Sequence, residues 1–379
     1  MRVLVVNTDY AEFLRWFYRQ HPGLAEASYD EQMRARVETL FGVADFYTRS
    51  LRELGHEAWD VHANNAIMQR TWARENGLRS EGRRRDPRRV AQRAGEILRG
   101  SGARPGGAVE LLPEILAAQV DHFRPDVLIN QAMEEISPAI LTSFRARVPI
   151  LVGQHAATQL PPNREYSLYD LVVSSYPPTL KWFDARGVRT ALNRLAFEPS
   201  VLSRLGPREL EHEVAFVGSF QEIHRSRVTM IEELCRQVPE LRVWAPAMDQ
   251  ISPTSPIRRH YVGPAWGREM YEVLRRSRIV LNHHGDIAPY ANNLRLFEAT
   301  GVGALLLTDA KNDLSTVFVP GREVIDYGSA EECLQAIRFS QNDAAAAEAI
   351  AAAGQRRTLD EHTYRNRMKE LLELVENHL

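Results

Sequence analysis

Residues Ala291 to Asp309 read ANNLRLFEATGVGALLLTD, and this stretch decides the fold class. A polar segment leads into a short helical pattern, Gly301 and Gly303 follow, and an apolar run from Ala304 to Leu307 closes it. That run is too short for a helix of its own and suits a parallel strand covered on both faces. Asn292, Asn293, Arg295 and Glu298 occupy the first half. Polar groups at a helix start just ahead of such a strand are how α/β folds hold phosphorylated ligands. Arg295 and Glu298 are three apart and share one helical face, with Asn293 at the helix start. A cation for phosphate and a carboxylate for a ribose diol fit a nucleotide, and Glu298 is expected on an exposed site face.

Outward from this stretch, apolar strands alternate with amphipathic helices, the pattern of βαβ units and parallel sheets. In the N-terminal half strands are predicted at Arg2–Asn7, Glu57–Val61, Asp126–Asn130, Ile150–Gly153, Leu171–Ser174 and Thr190–Asn193. Helices are predicted between them, among others at Val37–Leu54, Val109–His122 and Thr179–Arg186. A second series begins with VAFVGS after Glu213 and continues at Leu241–Ala245, Ile279–Asn282, Ala304–Thr308 and Glu323–Asp326. The join is expected near Pro199–Glu211, a polar stretch followed by a fresh strand. An alanine-rich helix at Ala344–Ala353 and an amphipathic helix at His362–Leu379 end the chain. A length of 379 residues suits two such domains. The expected architecture is α/β, with two Rossmann-like doubly wound domains facing a central cleft.

Composition excludes several classes of function. With 44% hydrophobic and 25% charged residues and a net charge of −2, nothing favours nucleic acid or an anionic membrane globally. The basic run Arg79 to Arg89 lacks interleaved aromatics and reads as a solvated excursion beside the loop-like Gly100 to Gly107. No apolar run approaches the roughly 20 residues that span a bilayer. MRVLVVNTDYAEF reads as a first strand instead of a signal peptide, so a cytoplasmic protein is expected. Cys235 and Cys333 are far apart and read as buried thiols. A dinucleotide-dependent oxidoreductase is disfavoured because Asn7-Thr8-Asp9-Tyr10 follows the first strand without any glycine.

The series N-x-R-x-x-E, glycine turn, strand and a late Glu361-His362-Thr363-Tyr364 segment resembles the glycosyltransferases related to spore-maturation proteins, within the GT-B group of sugar-nucleotide-dependent enzymes. The likeness is strongest from Val214 to Leu374 and only architectural before it. It implies an acceptor-binding Rossmann-like domain at residues 1–205 and a nucleotide-sugar-binding one at 206–360. Residues 361–379 would form a helix packing back towards the first domain. It further implies transfer of a sugar from a nucleoside-diphosphate sugar, as co-substrate, to a hydroxyl-bearing acceptor, with no metal ion or other cofactor. A catalytically silent GT-B-like coat or assembly protein is the alternative, since a fold does not fix function.

Within that resemblance Glu298 would accept hydrogen bonds from the nucleotide ribose. Many retaining members carry a second glutamate eight positions earlier, where this chain has Tyr290. Helix-start amides near Asn292 and Asn293, with the Arg295 fork, would hold a diphosphate and stabilise it as the leaving group. Gly218 and Ser219 end a strand, and Arg225 and Arg227 open the next helix. A small-residue turn lets backbone approach a phosphate, and the arginines could clamp it. The resemblance places the nucleobase beside Tyr261 to Trp266, with Trp266 as a stacking candidate. Neighbouring His283 and His284 point to opposite faces and lack zinc spacing, so they read as a polar loop facing sugar or phosphate. For the acceptor proton, three strand ends in the first half offer bases: His155 first because it titrates near neutrality, then Asp9, and Glu134.

Overall fold

The computed structural model describes residues 1–78, 112–155, 160–161, 165–220, 225–286 and 289–377. The basic run at 79–89 and the 100–107 loop lie outside the described residues. The chain divides into two compact units. Met1–His155, Pro161–Val173 and Phe183–Thr190 form the first, and Ser174–Trp182 with Ala191–Leu379 make up the bulk of the second. Among the described residues no helix is long and apolar enough to cross a membrane.

The first unit is built on a six-stranded sheet of order β2-β1-β3-β4-β5-β6. Its strands are β1 (Arg2–Asn7), β2 (Glu57–His62), β3 (Val127–Asn130), β4 (Ile150–Gln154), β5 (Leu171–Ser174) and β6 (Thr190–Leu192). β1 pairs in parallel with β2 and β3, and β3 with β4. Each central strand is a run of aliphatic residues with both faces buried, as parallel sheets under helices require. The helix expected over Val37–Leu54 is instead two, Tyr29–Glu38 and Phe46–Glu53. Leu40, Gly42 and Ala44 break the run with φ of 57°, 61° and 40°. The detour buries Leu40 and stacks Phe41 on Phe13 with ring centroids 3.9 Å apart. Packing of that kind outweighs local helix propensity. The helix predicted from Val109 begins, among the described residues, at Pro113.

Asp9 lies just beyond β1 and is almost fully buried. Its carboxylate meets Arg36 Nη2 at 2.5 Å and His62 Nδ1 at 3.1 Å, while the Arg36 guanidinium lies 4.7 Å over the Phe13 ring. Burial pushes the Asp9 pKa up, but the charges and hydrogen bonds of Arg36 and His62 outweigh it and hold the carboxyl well below the usual range. The expectation that Asp9 serves as a base is therefore corrected. A buried carboxylate so strongly stabilised in its ionised form does not take up a substrate proton.

The second unit repeats the plan with the order β12-β11-β10-β7-β8-β9. The strands are β7 (His212–Val217), β8 (Leu241–Trp244), β9 (Tyr261–Gly263), β10 (Ser277–Asn282), β11 (Leu305–Asp309) and β12 (Ile325–Tyr327). β9 was not foreseen as a strand, because three residues before Pro264 give no periodic signal. The decisive stretch folds as expected: helix Arg295–Gly301, a turn, then β11 with all five residues buried. Its two glycines have separate causes. A side chain at Gly301 would meet the Phe197 ring at 2.4 Å, and Gly303 turns the chain at φ +87°. Phe197 is held there by its own backbone, which bonds to His362 and Tyr364. A short helix, Ser200–Arg204, lies in the stretch read as a join. The alanine-rich helix runs on to Glu361, and Thr363 caps the last helix, Tyr364–Glu376. Both cysteines are free and buried, as expected.

Asp9→Asn is expected to lose about 3–5 kcal/mol of unfolding free energy at pH 7, because Arg36 stays buried without its counter-charge. The native pKa of Asp9 is depressed, so its contribution is present above the ordinary carboxylate range and is lost as pH falls through the native pKa. Urea unfolding across acidic pH should give a steeper acid loss in the parent than in the variant.

Candidate functional site

All registered strand pairs of the second sheet are parallel, so every loop that follows a strand lies at one edge. The strand order changes direction between β7 and β10: β8 and β9 lie on one side, β11 and β12 on the other. Ligands of open α/β sheets bind outside the carboxyl ends of strands at such a reversal, where the two flanking loops diverge. Gly218 and Ser219 follow β7, and His283 to Asp286 follow β10.

Arg227 ties these loops together. Its Nε donates to the His283 carbonyl at 2.9 Å and its Nη1 to the Ser219 carbonyl at 2.8 Å. Burial lowers the pKa of Arg227 to about 10, with nearby Asp309 opposing the shift, so the side chain remains a cation at neutral pH. Arg225, two residues earlier, is exposed. The two arginines therefore differ in kind: Arg227 is buried against two loop carbonyls, and Arg225 is exposed. Beside them the Asp286 carboxylate accepts from the Ser226 backbone N–H at 3.1 Å. The Ser226 side chain and then that backbone bond lower the pKa of Asp286, so a carboxylate sits at the start of helix Arg225–Gln237. Gly218 has a packing reason as well, since a side chain there would meet the Phe216 ring at 2.8 Å.

The end of β10 is joined to the decisive helix by amide side chains. Asn293 Nδ2 donates to Asn282 Oδ1 at 2.7 Å, and Asn282 Nδ2 donates to Thr308 Oγ1 at 2.9 Å. Asn293 Oδ1 also accepts from the Leu296 N–H at 3.3 Å, so Asn293, just before the Leu294 N-cap, braces the helix start. Arg295 and Glu298 do share a face, but they bind each other at 2.8 Å. Glu298 is 7% exposed instead of open to solvent, a correction to the expected exposed face. Burial raises its pKa, with Arg295 opposing. Arg295 Nη2 also points at Met270 Sδ, 3.3 Å away, and its Nε makes no hydrogen bond among the described residues. Asn292 is half-buried, and Trp266 is half-buried ahead of helix Arg268–Arg275.

Asp309 was missed as a site candidate. Its Oδ1 accepts from the His284 backbone at 2.9 Å and from His284 Nδ1 at 2.6 Å, and its Oδ2 lies 3.0 Å from Lys311 Nζ. Burial opposes ionisation of Asp309, but His284, His283 and Lys311 outweigh it and hold the carboxyl well below the usual range. The available signal was its place as the last residue of a buried parallel strand. The histidine pair is thus engaged with one carboxylate. Among the described residues no group of three or more His, Cys, Asp or Glu side chains is arranged to hold a metal ion.

In the first unit the structure joins two of the three proposed bases. His155 Nε2 lies 3.0 Å from Glu134 Oε1, with side-chain exposures of 3% and 45% respectively. Glu134 therefore presents the carboxylate to solvent, and His155 supports it from behind. Of the pair only Glu134 is open to solvent, because access is a property of packing that titration range does not report.

Residues 225–373 match a family described as glycosyl transferase-like. The whole chain superposes on the glycosyltransferase of Rickettsia africae ESF-5 with a TM-score of 0.58, at 10% identity over 99% of this chain and 98% of that one. Anabaena Alr3699/HepE in complex with UDP-glucose gives 0.56 at 11% identity over 99% of both chains. AviGT4, a glycosyltransferase involved in avilamycin A biosynthesis, gives 0.55 at 16% identity over 98% of this chain and 96% of that one. The fold is that of the GT-B glycosyltransferases. No curated protein matches the chain. In this GT-B fold the family match begins at Arg225, at the helix that opens beside the strand reversal.

Arg227→Met should lower unfolding free energy by about 2–4 kcal/mol, since two loop carbonyls lose their donor. Urea denaturation checks it. A variant as stable as the parent would show that the guanidinium does not hold the two loops.

Proposed function

We propose that the protein transfers a sugar from a nucleoside-diphosphate sugar to a hydroxyl-bearing acceptor, without a bound metal ion. The observation that carries this reading is the polar edge at the reversal between β7 and β10. There the Gly218-Ser219 turn, Arg225, the start of helix Arg225–Gln237 and the Asn293-braced helix all face the carboxyl ends of the strands. Its support is the glycosyl transferase-like match from residue 225. UDP-glucose and UDP are bound by the Anabaena protein of similar fold, which makes uridine nucleotides the first donors to test.

On this reading the second unit binds the donor. Arg225 and the turn amides neutralise the diphosphate as it departs with the electron pair of the anomeric C–O bond, and they act most strongly when that charge is greatest. Arg295 and Glu298 part on binding, Arg295 turning to phosphate and Glu298 accepting from the ribose diol. Trp266 lies beside the base. The first unit binds the acceptor. Its hydroxyl oxygen attacks the anomeric carbon and its proton passes to Glu134, which His155 holds in place.

A silent binding protein remains the second reading, because a specific feature favours it. Tyr290 stands where many retaining relatives have their first glutamate, and its ring packs edge-on against Tyr176 at 5.7 Å. An aromatic ring offers no carboxylate to a sugar hydroxyl.

A thermal-shift panel of UDP, TDP, GDP, ADP and CDP in the presence of EDTA tests the donor half. One nucleoside diphosphate at a hundred times its Kd should add about 2.7 kcal/mol and raise Tm by several degrees. A flat panel would sink the transferase reading. Glu134→Gln should lower kcat about 100-fold or more while leaving nucleotide affinity unchanged. Nucleotide binding by the parent with no turnover of any donor would favour the silent protein.

A further inference from the structure

The first sheet has its own reversal, between β1 and β3, with β2 on one side and β4 to β6 on the other. The chains leaving there are Thr8 to Tyr10 and Gln131 to Glu135. Tyr10 is 67% exposed, the most exposed of the large apolar side chains among the described residues. Its position is firmly set. The backbone carbonyl of Tyr10 receives the Leu14 N–H at 3.0 Å, and its ring stands edge-on to Phe41 at 5.7 Å. Phe41 in turn stacks on the buried Phe13. An open aromatic ring propped by two others is a preorganised platform.

Polar groups lie along the same edge. Register pairs Val6 with Asn130 and Asn130 with Gly153, so Gln131 and Gln154 leave adjacent strands at one level. Gln131 Nε2 donates to Gln154 Oε1 at 3.0 Å, and Gln154 Nε2 to the Tyr47 hydroxyl at 2.6 Å. This row fixes the Gln131 amide and leaves its Oε1 without a hydrogen bond among the described residues. His155 Nδ1 is likewise without one. Glu134 and Glu135 are exposed on the intervening loop. Tyr10 follows β1 by three residues, and Glu134 and Glu135 follow β3, the strand paired directly with β1. With strands about 4.8 Å apart, β1, β3 and β4 carry this row across about 10 Å.

An aromatic face flanked by planar carboxylate acceptors suits a molecule with an apolar C–H face and a rim of hydroxyl donors. Two exposed carboxylates disfavour an anionic ligand, and a single open ring is too little apolar surface for a lipid chain. We propose that the first unit binds a neutral carbohydrate whose ring stacks on Tyr10 while its hydroxyls donate to Glu134. The statement that this carbohydrate is the acceptor rests on the transferase reading. The binding itself does not.

Saturation-transfer-difference NMR of the full chain, without donor, tests it with the methyl glycosides of glucose, galactose, mannose and N-acetylglucosamine. At least one glycoside should receive saturation, concentrated on its ring C–H protons. Tyr10→Ala should cut that signal at least fivefold, Tyr10→Phe should keep it, and Glu134→Gln should weaken it. An unchanged melting temperature shows that each variant is folded, and Tyr10→Ser replaces Tyr10→Ala if that protein is not. Two outcomes would overturn the inference: no saturation of any of the four in the parent, or equal saturation in Tyr10→Ala. If a glycoside binds but no nucleoside diphosphate shifts the melting temperature, the transferase reading falls and the carbohydrate site stands. Nucleotide binding without glycoside saturation sinks the carbohydrate site alone.

Discussion

Parallel strands must be buried on both faces, and that constraint organises each unit. Helices cover both sides of the sheet, so the central strands carry aliphatic runs such as Val3–Val6 and Leu305–Leu307. Polar chemistry is left to the strand ends. Because the strands run in one direction, the loops that follow them gather at one edge, and the reversal of strand order opens a place there. The two reversals, β1 with β3 and β7 with β10, are where the polar side chains of each unit collect.

Charged groups near these edges divide into those buried within the fold and those at its surface. Asp9 and Asp309 are held ionised by cationic or hydrogen-bonding neighbours that outweigh the cost of burial. Each organises a neighbourhood, Asp9 through Arg36 and His62 and Asp309 through His284 and Lys311. Arg227 does the same for backbone carbonyls. Glu134 and Arg225 are exposed, and exposure is what a group must have to meet a substrate. Arg295 and Glu298 stand between these cases, since burial raises the Glu298 pKa while the pair satisfies itself. A ligand that separates them must supply comparable partners to both, which a nucleotide, anionic at one end and hydroxylated at the other, is able to do.

Much of this was legible in the amino-acid sequence. Aliphatic runs and amphipathic periods mark nearly every strand and most helices, and residue types near strand ends mark Gly218, Ser219, Asn293 and Glu134 as candidates. The shared face of Arg295 and Glu298 follows from a spacing of three on one helix, which is a local property. Tertiary structure decided the rest. Whether Val37–Leu54 is one helix or two depends on Phe41 reaching Phe13, distant in sequence. Whether Asp9 is a base or a buried anchor depends on Arg36 and His62, and whether His155 or Glu134 meets solvent depends on how β3 and β4 lie side by side. Sequence spacing sets periodicity and residue chemistry. Exposure, charge compensation and access arise only when distant segments pack, because each is a sum over neighbours that the chain brings together in folding.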